Sequence, residues 1–147
     1  MGGTARTKVL FLCTGNSCRS QMAEGWARHL RPDALEAWSA GVSPAPVDPR
    51  AVKAMAEAGV DISAQRSKPI DDVDGIPFDY VITLCDNAHT SCPVFPARTL
   101  LAHMPFDDPP RLAAGASSEE EAMAHYQRVR DEIREMIVNF PGSVENS

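Results

Sequence analysis

The chain has no long hydrophobic run: nothing in its 147 residues approaches the ~18 consecutive apolar residues of a membrane-spanning helix. Residues 1–8 carry no apolar stretch of the kind that directs secretion. Lysine and arginine are nowhere clustered and the formal net charge is −6, which argues against nucleic acid or an anionic membrane as partner. The same acidic balance repels a small oxyanion at long range, so any such ligand must be held by local donors. Internal repeats are absent, and the one compositionally biased tract, residues 112–121, is expected to be a solvated loop. Such a chain is expected to stay in the cytosol, with its four cysteines as thiols or transient redox partners rather than a disulfide framework.

With 44% hydrophobic residues, the length suits one domain spanning 1–147, whose ends at 1–7 and 142–147 are expected to be flexible. Apolar runs predict strands over residues 8–13, 36–40, 80–85 and 99–102. A helix follows the first strand, on Met22, Ala23, Trp26, Ala27 and Leu30, and stops near Pro32. A second starts at Asp48-Pro49, an N-cap followed by proline in the first turn, presents Val52, Met55 and Ala56 on one face, and ends at Gly59. Residues 61–77 read as a loop with a helical turn. The last helix is the clearest: Ser118 and Glu121 form a capping box, and Met123, Tyr126, Val129, Ile133, Met136, Ile137 and Phe140 make an apolar stripe ending at Pro141. Alternating strands and helices imply an α/β fold, a single doubly wound domain with a four-stranded parallel sheet and helices on both faces. Ligands of such sheets bind beyond the carboxyl ends of the strands.

The first strand stops on Cys13 and continues as Thr14-Gly15-Asn16-Ser17-Cys18-Arg19-Ser20. At such a strand-to-helix turn several backbone N–H groups point into one concavity, and the first helical turn adds unpaired donors and a positive dipole end. Residues 14–20 are therefore a candidate oxyanion cradle. Gly15 is expected to take the positive φ where the cradle curves, and Arg19 to fold its planar donor fork over a tetrahedral anion. The same field favours thiolate at Cys13, because cysteines at helix N-termini near a cation fall from about 8.5 to roughly 3.5 to 7.5. A structural cysteine in an ordinary connection is the plainer alternative. It leaves the coincidence of nucleophile, spacing and arginine unexplained.

The third predicted strand also ends on a cysteine, Cys85, so Cys13 and Cys85 are expected on one sheet edge. If those strands pair, about 4.8 Å apart, the two sulfurs come within disulfide range. Cys92 is farther: seven residues of helix would separate it from Cys85 by roughly 10 Å, beyond the ~7 Å Cα limit of a bridge. Residues 86–91 must therefore loop back, or melt and refold, before those sulfurs join. A metal site from Cys85, His89 and Cys92 is a rival reading, although its spacing matches no common zinc pattern. Cys18 reads as packing. A leaving oxygen also needs a proton, and Phe106-Asp107-Asp108-Pro109 offers Asp108 for it, with a surface proline turn as the alternative.

The loop Cys13-(five residues)-Arg19-Ser20 resembles that of the low-molecular-weight tyrosine phosphatases. The longer string from Cys13 to Gly25, with Thr83-Leu84-Cys85, Cys92-Pro93, Phe106-Asp107-Asp108-Pro109 and Gln127 to Ile133, is more similar to the thioredoxin-coupled arsenate reductases that share that fold. The resemblance implies Cys13 as nucleophile on arsenate, with phosphate or sulfate as analogues. Arg19 and the loop amides would hold the oxygens, Ser20 steady the thiolate and Asp108 act as general acid. It further implies a relay through Cys85 and Cys92 to thioredoxin, with no bound cofactor, in a monomer. Glutaredoxin or a small thiol is the alternative donor. In the phosphatases an aromatic follows the Asp-Pro pair; here Pro110 and Arg111 follow. Some relatives hold potassium through an Asn, a Glu, a Ser and an Asp; Asn16, Glu24 and Ser39 match, while Lys68 takes the Asp position, where its ammonium would replace the ion. The remaining alternatives are a tyrosine phosphatase and a thiol-based binder of arsenite or a metal.

Overall fold

The computed structural model describes residues 6–145. Strands β1 (Thr7–Cys13), β2 (Leu35–Gly41), β3 (Tyr80–Thr83) and β4 (Leu100–His103) form one parallel sheet in the order β2-β1-β3-β4. Five successive residues of β1, Val9 to Cys13, are buried. Neighbouring side chains on a strand point to opposite faces, so both faces of β1 are covered. The chain reverses its direction of travel across the sheet between β1 and β3, which puts the switch-point crevice at the carboxyl end of β1. Cys13 stands there.

Between the strands run α1 (Arg19–Leu30), α2 (Pro49–Glu57), a 3-10 turn at Ile70–Val73 and the short α3 (Asp86–Thr90). After β4 come α4 (Pro109–Ala114), α5 (Glu119–Val138) and a last turn, α6 (Gly142–Glu145). Helix α5 packs along α1, α2 and α4, and every residue of its predicted apolar stripe, including Phe140 just beyond its end, is buried. Ser118 caps it, accepting from the Glu121 N–H at 3.0 Å; the Glu121 carboxylate reaches one residue farther back than a capping box requires, to Ser117 N and Oγ. Among the described residues no helix is long and apolar enough to cross a membrane.

Several expectations shift. The buried face of α2 is Ala51, Ala54 and Met55, while Val52 is half-buried and Ala56 exposed. Small alanines let α2 lie close to its neighbours, and side-chain size alone pointed one position off. Gly59 (φ +87°) is one residue past the cap Ala58, in a Schellman motif closed by Val60 N–H to Met55 O and Gly59 N–H to Ala56 O. Strand β3 stops at Thr83, so Cys85 ends no strand but N-caps α3. The tract 112–121 is not all loop, because Leu112 to Ala114 complete α4, which the proline pair at its first turn starts. Thr7 already belongs to β1 and residues 142–145 close a helical turn; residues 1–5 and 146–147, also expected to be flexible, lie outside the described residues.

Candidate active site

Between β1 and α1 the loop turns its carbonyls outward. Those of Thr14, Gly15 and Ser17 accept from the N–H groups of Ser43, Ala45 and Asp48, each at 2.8 Å, and that of Asn16 accepts from Gln21 Nε2 at 2.9 Å. In a trans peptide the next residue's N–H points the opposite way, so the amides of Gly15, Asn16, Ser17 and Cys18 face the concave side. The left-handed residue is Asn16 (φ +48°), not Gly15, whose φ is not positive. Asparagine tolerates that region, and its side chain is used at the same time. The glycine the loop requires is Gly41, paired with Cys13: a Cβ there would meet Thr14 O at 2.8 Å and Asn16 N at 2.9 Å.

A directed chain of hydrogen bonds reaches the sulfur of Cys13. The Lys68 N–H donates to Asn16 Oδ1 (2.9 Å), which fixes the amide so that Nδ2 donates to Ser20 Oγ (2.8 Å). Ser20 Oγ lies 3.1 Å from Cys13 Sγ with its proton free to point there. On the other side Asn87 Nδ2 donates to Thr14 Oγ1 (3.1 Å), and Thr14 Oγ1 is 3.2 Å from Cys85 Sγ. Cys85, 7% exposed, also accepts from the Ala88 N–H at 3.4 Å. Strands β1 and β3 are hydrogen-bonded neighbours with Leu12 paired to Thr83, so Cys13, the last residue of β1, and Cys85, two residues past β3, both lie at the carboxyl end of the sheet.

Arg19 is buried over this loop. Its Nη1 donates to Phe106 O at 3.0 Å and its Nη2 lies 3.6 Å from Asp108 Oδ1. Among the described residues, Arg19 Nε is the only buried side-chain nitrogen or oxygen without a hydrogen-bond partner. A buried donor left so is costly, and an anion in the cradle would satisfy it. The two aspartates part company: Asp107 turns out to Arg128 Nη2 at 2.9 Å, while Asp108 turns in to Arg19.

The structure thus brings together Cys13, residues 14–20, Cys85 and Asp108. Cys92 sits apart, half-buried beyond α3, and all four cysteines are free thiols. Burial raises the Cys92 thiol above its ordinary pKa. Cys18 is buried, and burial first, then Asp48, pushes its thiol well above the ordinary value, so it supplies a backbone N–H and packing rather than a nucleophile. Asp48, which caps α2 through the Arg50 N–H and accepts from the Tyr126 hydroxyl, ties the loop to α2 and α5; the sequence showed the cap but not the tie. At the potassium-like position, Glu24 accepts from Ser39 Oγ at 2.5 Å, pairs with Arg28 at 2.9 Å and lies 3.8 Å from Lys68 Nζ. Two cations already face that carboxylate, so these residues do not fit a metal ion.

The sequence pattern of the low molecular weight phosphotyrosine protein phosphatases matches residues 8–146. The chain belongs to this family. It is 49% identical to an arsenate reductase of Bacillus licheniformis over 136 residues, 92% of this chain and 96% of that one. Its fold superposes on an arsenate reductase in the phosphate-binding state with a TM-score of 0.73 at 31% identity, covering 94% of this chain and 98% of the other. For an arsenate reductase in the oxidised state the TM-score is 0.75 at 32% identity, covering 90% and 95%.

Proposed function

We propose that this chain reduces arsenate to arsenite, with Cys13 as nucleophile and Cys85 and Cys92 as the relay. The Cys13 thiolate attacks arsenic while Arg19 and the amides of residues 14–20 hold the oxygens, and Asp108 supplies the proton with which hydroxide leaves as water. Ser20 steadies the sulfur. Cys85 then attacks Cys13 Sγ: a Cys13–Cys85 bond forms, the sulfur–arsenic bond breaks, and its electron pair stays on arsenic, which departs as arsenite. Cys92 next attacks Cys85, Cys13 leaves as thiolate, and a dithiol protein of the thioredoxin type reduces the Cys85–Cys92 disulfide, with no bound cofactor. The reaction runs in the cytosol on a monomer.

The observation that carries this reading is the second thiol. Cys85 stands beside the nucleophile's loop, hydrogen-bonded to Thr14, and hydrolysis has no use for it. Relatives named arsenate reductase support the same reading. The test is arsenite release by Cys92→Ser supplied with thioredoxin, its reductase and NADPH: about one arsenite per enzyme, then a stall, because chemistry precedes relay. Full turnover by that variant refutes the relay. Family membership favours phosphatase chemistry as a second reading; aryl phosphate hydrolysis outrunning arsenate reduction would establish it.

A further inference from the structure

Outside the anion loop, His103 at the end of β4 is held at both ring nitrogens. Nδ1 lies 2.8 Å from Thr83 Oγ1 and Nε2 lies 3.0 Å from Asp86 Oδ1. An ionised carboxylate only accepts, so the Nε2 contact has the ring as donor, while the Thr83 hydroxyl shares its hydrogen between Nδ1 and Ala102 O, 3.4 Å away. On the same ring stacks His89, with centroids 4.2 Å apart and planes at 25°. Asp86 and His89 are the first and fourth residues of α3, the five-residue helix between Cys85 and Cys92. One β4 side chain therefore holds the first and the fourth residue of the segment that must unwind before those two sulfurs can meet. Cys92, His89 and His103 line a common cavity of about 230 Å³, closed by Val81, Leu101 and Pro93.

Besides this grip, helix α3 is tied to the anion loop by Asn87 Nδ2 donating to Thr14 Oγ1 at 3.1 Å. Asp86 is 92% exposed on its side chain, Asn87, His89 and Thr90 are exposed, and Ala88 alone is buried. Its N-cap is Cys85 Sγ, which accepts from the Ala88 N–H. When Cys85 Sγ moves into a bond with Cys13 that cap is lost, and the side-chain restraints left on α3 are the grip of His103 and the Asn87–Thr14 hydrogen bond.

We propose that His103 is a positioning residue of the relay, latching α3 in its helical form and so restraining Cys92 from attacking Cys85. The inference rests on the reading of Cys85 and Cys92 as a relay pair. The step it restrains is balanced within the chain: the Cys92 thiolate forms the Cys92–Cys85 bond, the Cys85–Cys13 bond breaks, and the electron pair leaves on Cys13. The oxidising equivalents are those taken from arsenate.

Two measurements test it. The first is amide hydrogen exchange of residues 86–91 in the reduced protein. His103→Ala is expected to speed it about three- to tenfold, and His103→Gln, whose amide restores a donor toward Asp86, to bring it back. The second is the Cys85–Cys92 thiol–disulfide equilibrium in a Cys13→Ser background against oxidised and reduced dithiothreitol, read by alkylation and mass spectrometry. Here His103→Ala is expected to shift the balance toward disulfide by a similar factor. Asp86→Ala removes the same contact from an exposed side chain and should act in the same direction, which guards against a folding defect in the histidine variant. Unchanged exchange overturns the latch, and so does faster exchange with an unmoved equilibrium. If both shift but the wild-type chain reduces no arsenate, the proposed activity falls while the latch stands.

Discussion

In the proposed relay Cys92 must become a thiolate to attack, and burial holds its proton on more tightly than in an ordinary cysteine. With the pKa raised, only a small fraction is ionised at neutral pH, and that fraction grows as pH rises toward the pKa. The Cys92-dependent step is therefore expected to quicken about tenfold per pH unit between about pH 6.5 and 8.5, in stopped single-turnover samples scored for the Cys85–Cys92 disulfide. A flat profile over that range would show that deprotonation of Cys92 is not what limits it. At this scale the sequence was legible where chemistry demands a residue type: Cys13 and Arg19 lie at the strand end and the helix start where their spacing put them, while Cys85 falls two residues beyond the strand it was expected to end. It was not legible where a partner from far along the chain decides. Nothing local distinguishes Asp107 from Asp108; Arg128, drawing Asp107 outward, does. Nor does local pattern reveal that Asn16, rather than Gly15, takes the left-handed conformation, because the Lys68 amide that anchors its side chain is 52 residues away.

The anion loop keeps its shape because β2 presses on it from behind. Adding one methyl at Gly41 would push Thr14 O and Asn16 N, both backbone atoms that cannot swing aside. Gly41→Ala should raise KM for arsenate roughly tenfold, since the cradle holds ground state and transition state alike, while far-ultraviolet circular dichroism stays as in the parent. An unchanged KM would mean that the loop tolerates displacement. The major elements could be read from apolar periodicity and from caps such as Asp48 and Ser118, whose signals lie within a few residues. Helices α3 and α4 could not. Five or six residues carry too little periodicity to register, and α3 depends on a cysteine cap and on His103 across the sheet edge.

We propose that the whole chain folds as one cooperative unit, with β1 buried on both faces and α5 bridging α1, α2 and α4. Trp26 in α1 and Trp38 in β2 report on different elements, so urea unfolding followed by each tryptophan alone and by circular dichroism should give coincident transitions. Separated midpoints would mark two units. The chain's charge of −6 works against an incoming oxyanion, so in the proposed reaction the burden of binding falls on the loop amides and on Arg19. The proposed chemistry sits at the switch point of the sheet, where the end of β1 supplies Cys13 and the N-cap of α3 supplies Cys85. The most direct measurement is differential alkylation and peptide mass mapping of the reduced protein after exposure to arsenate without a reductant. The account predicts a Cys85–Cys92 disulfide with Cys13 and Cys18 free; finding Cys85 and Cys92 still as thiols would contradict it.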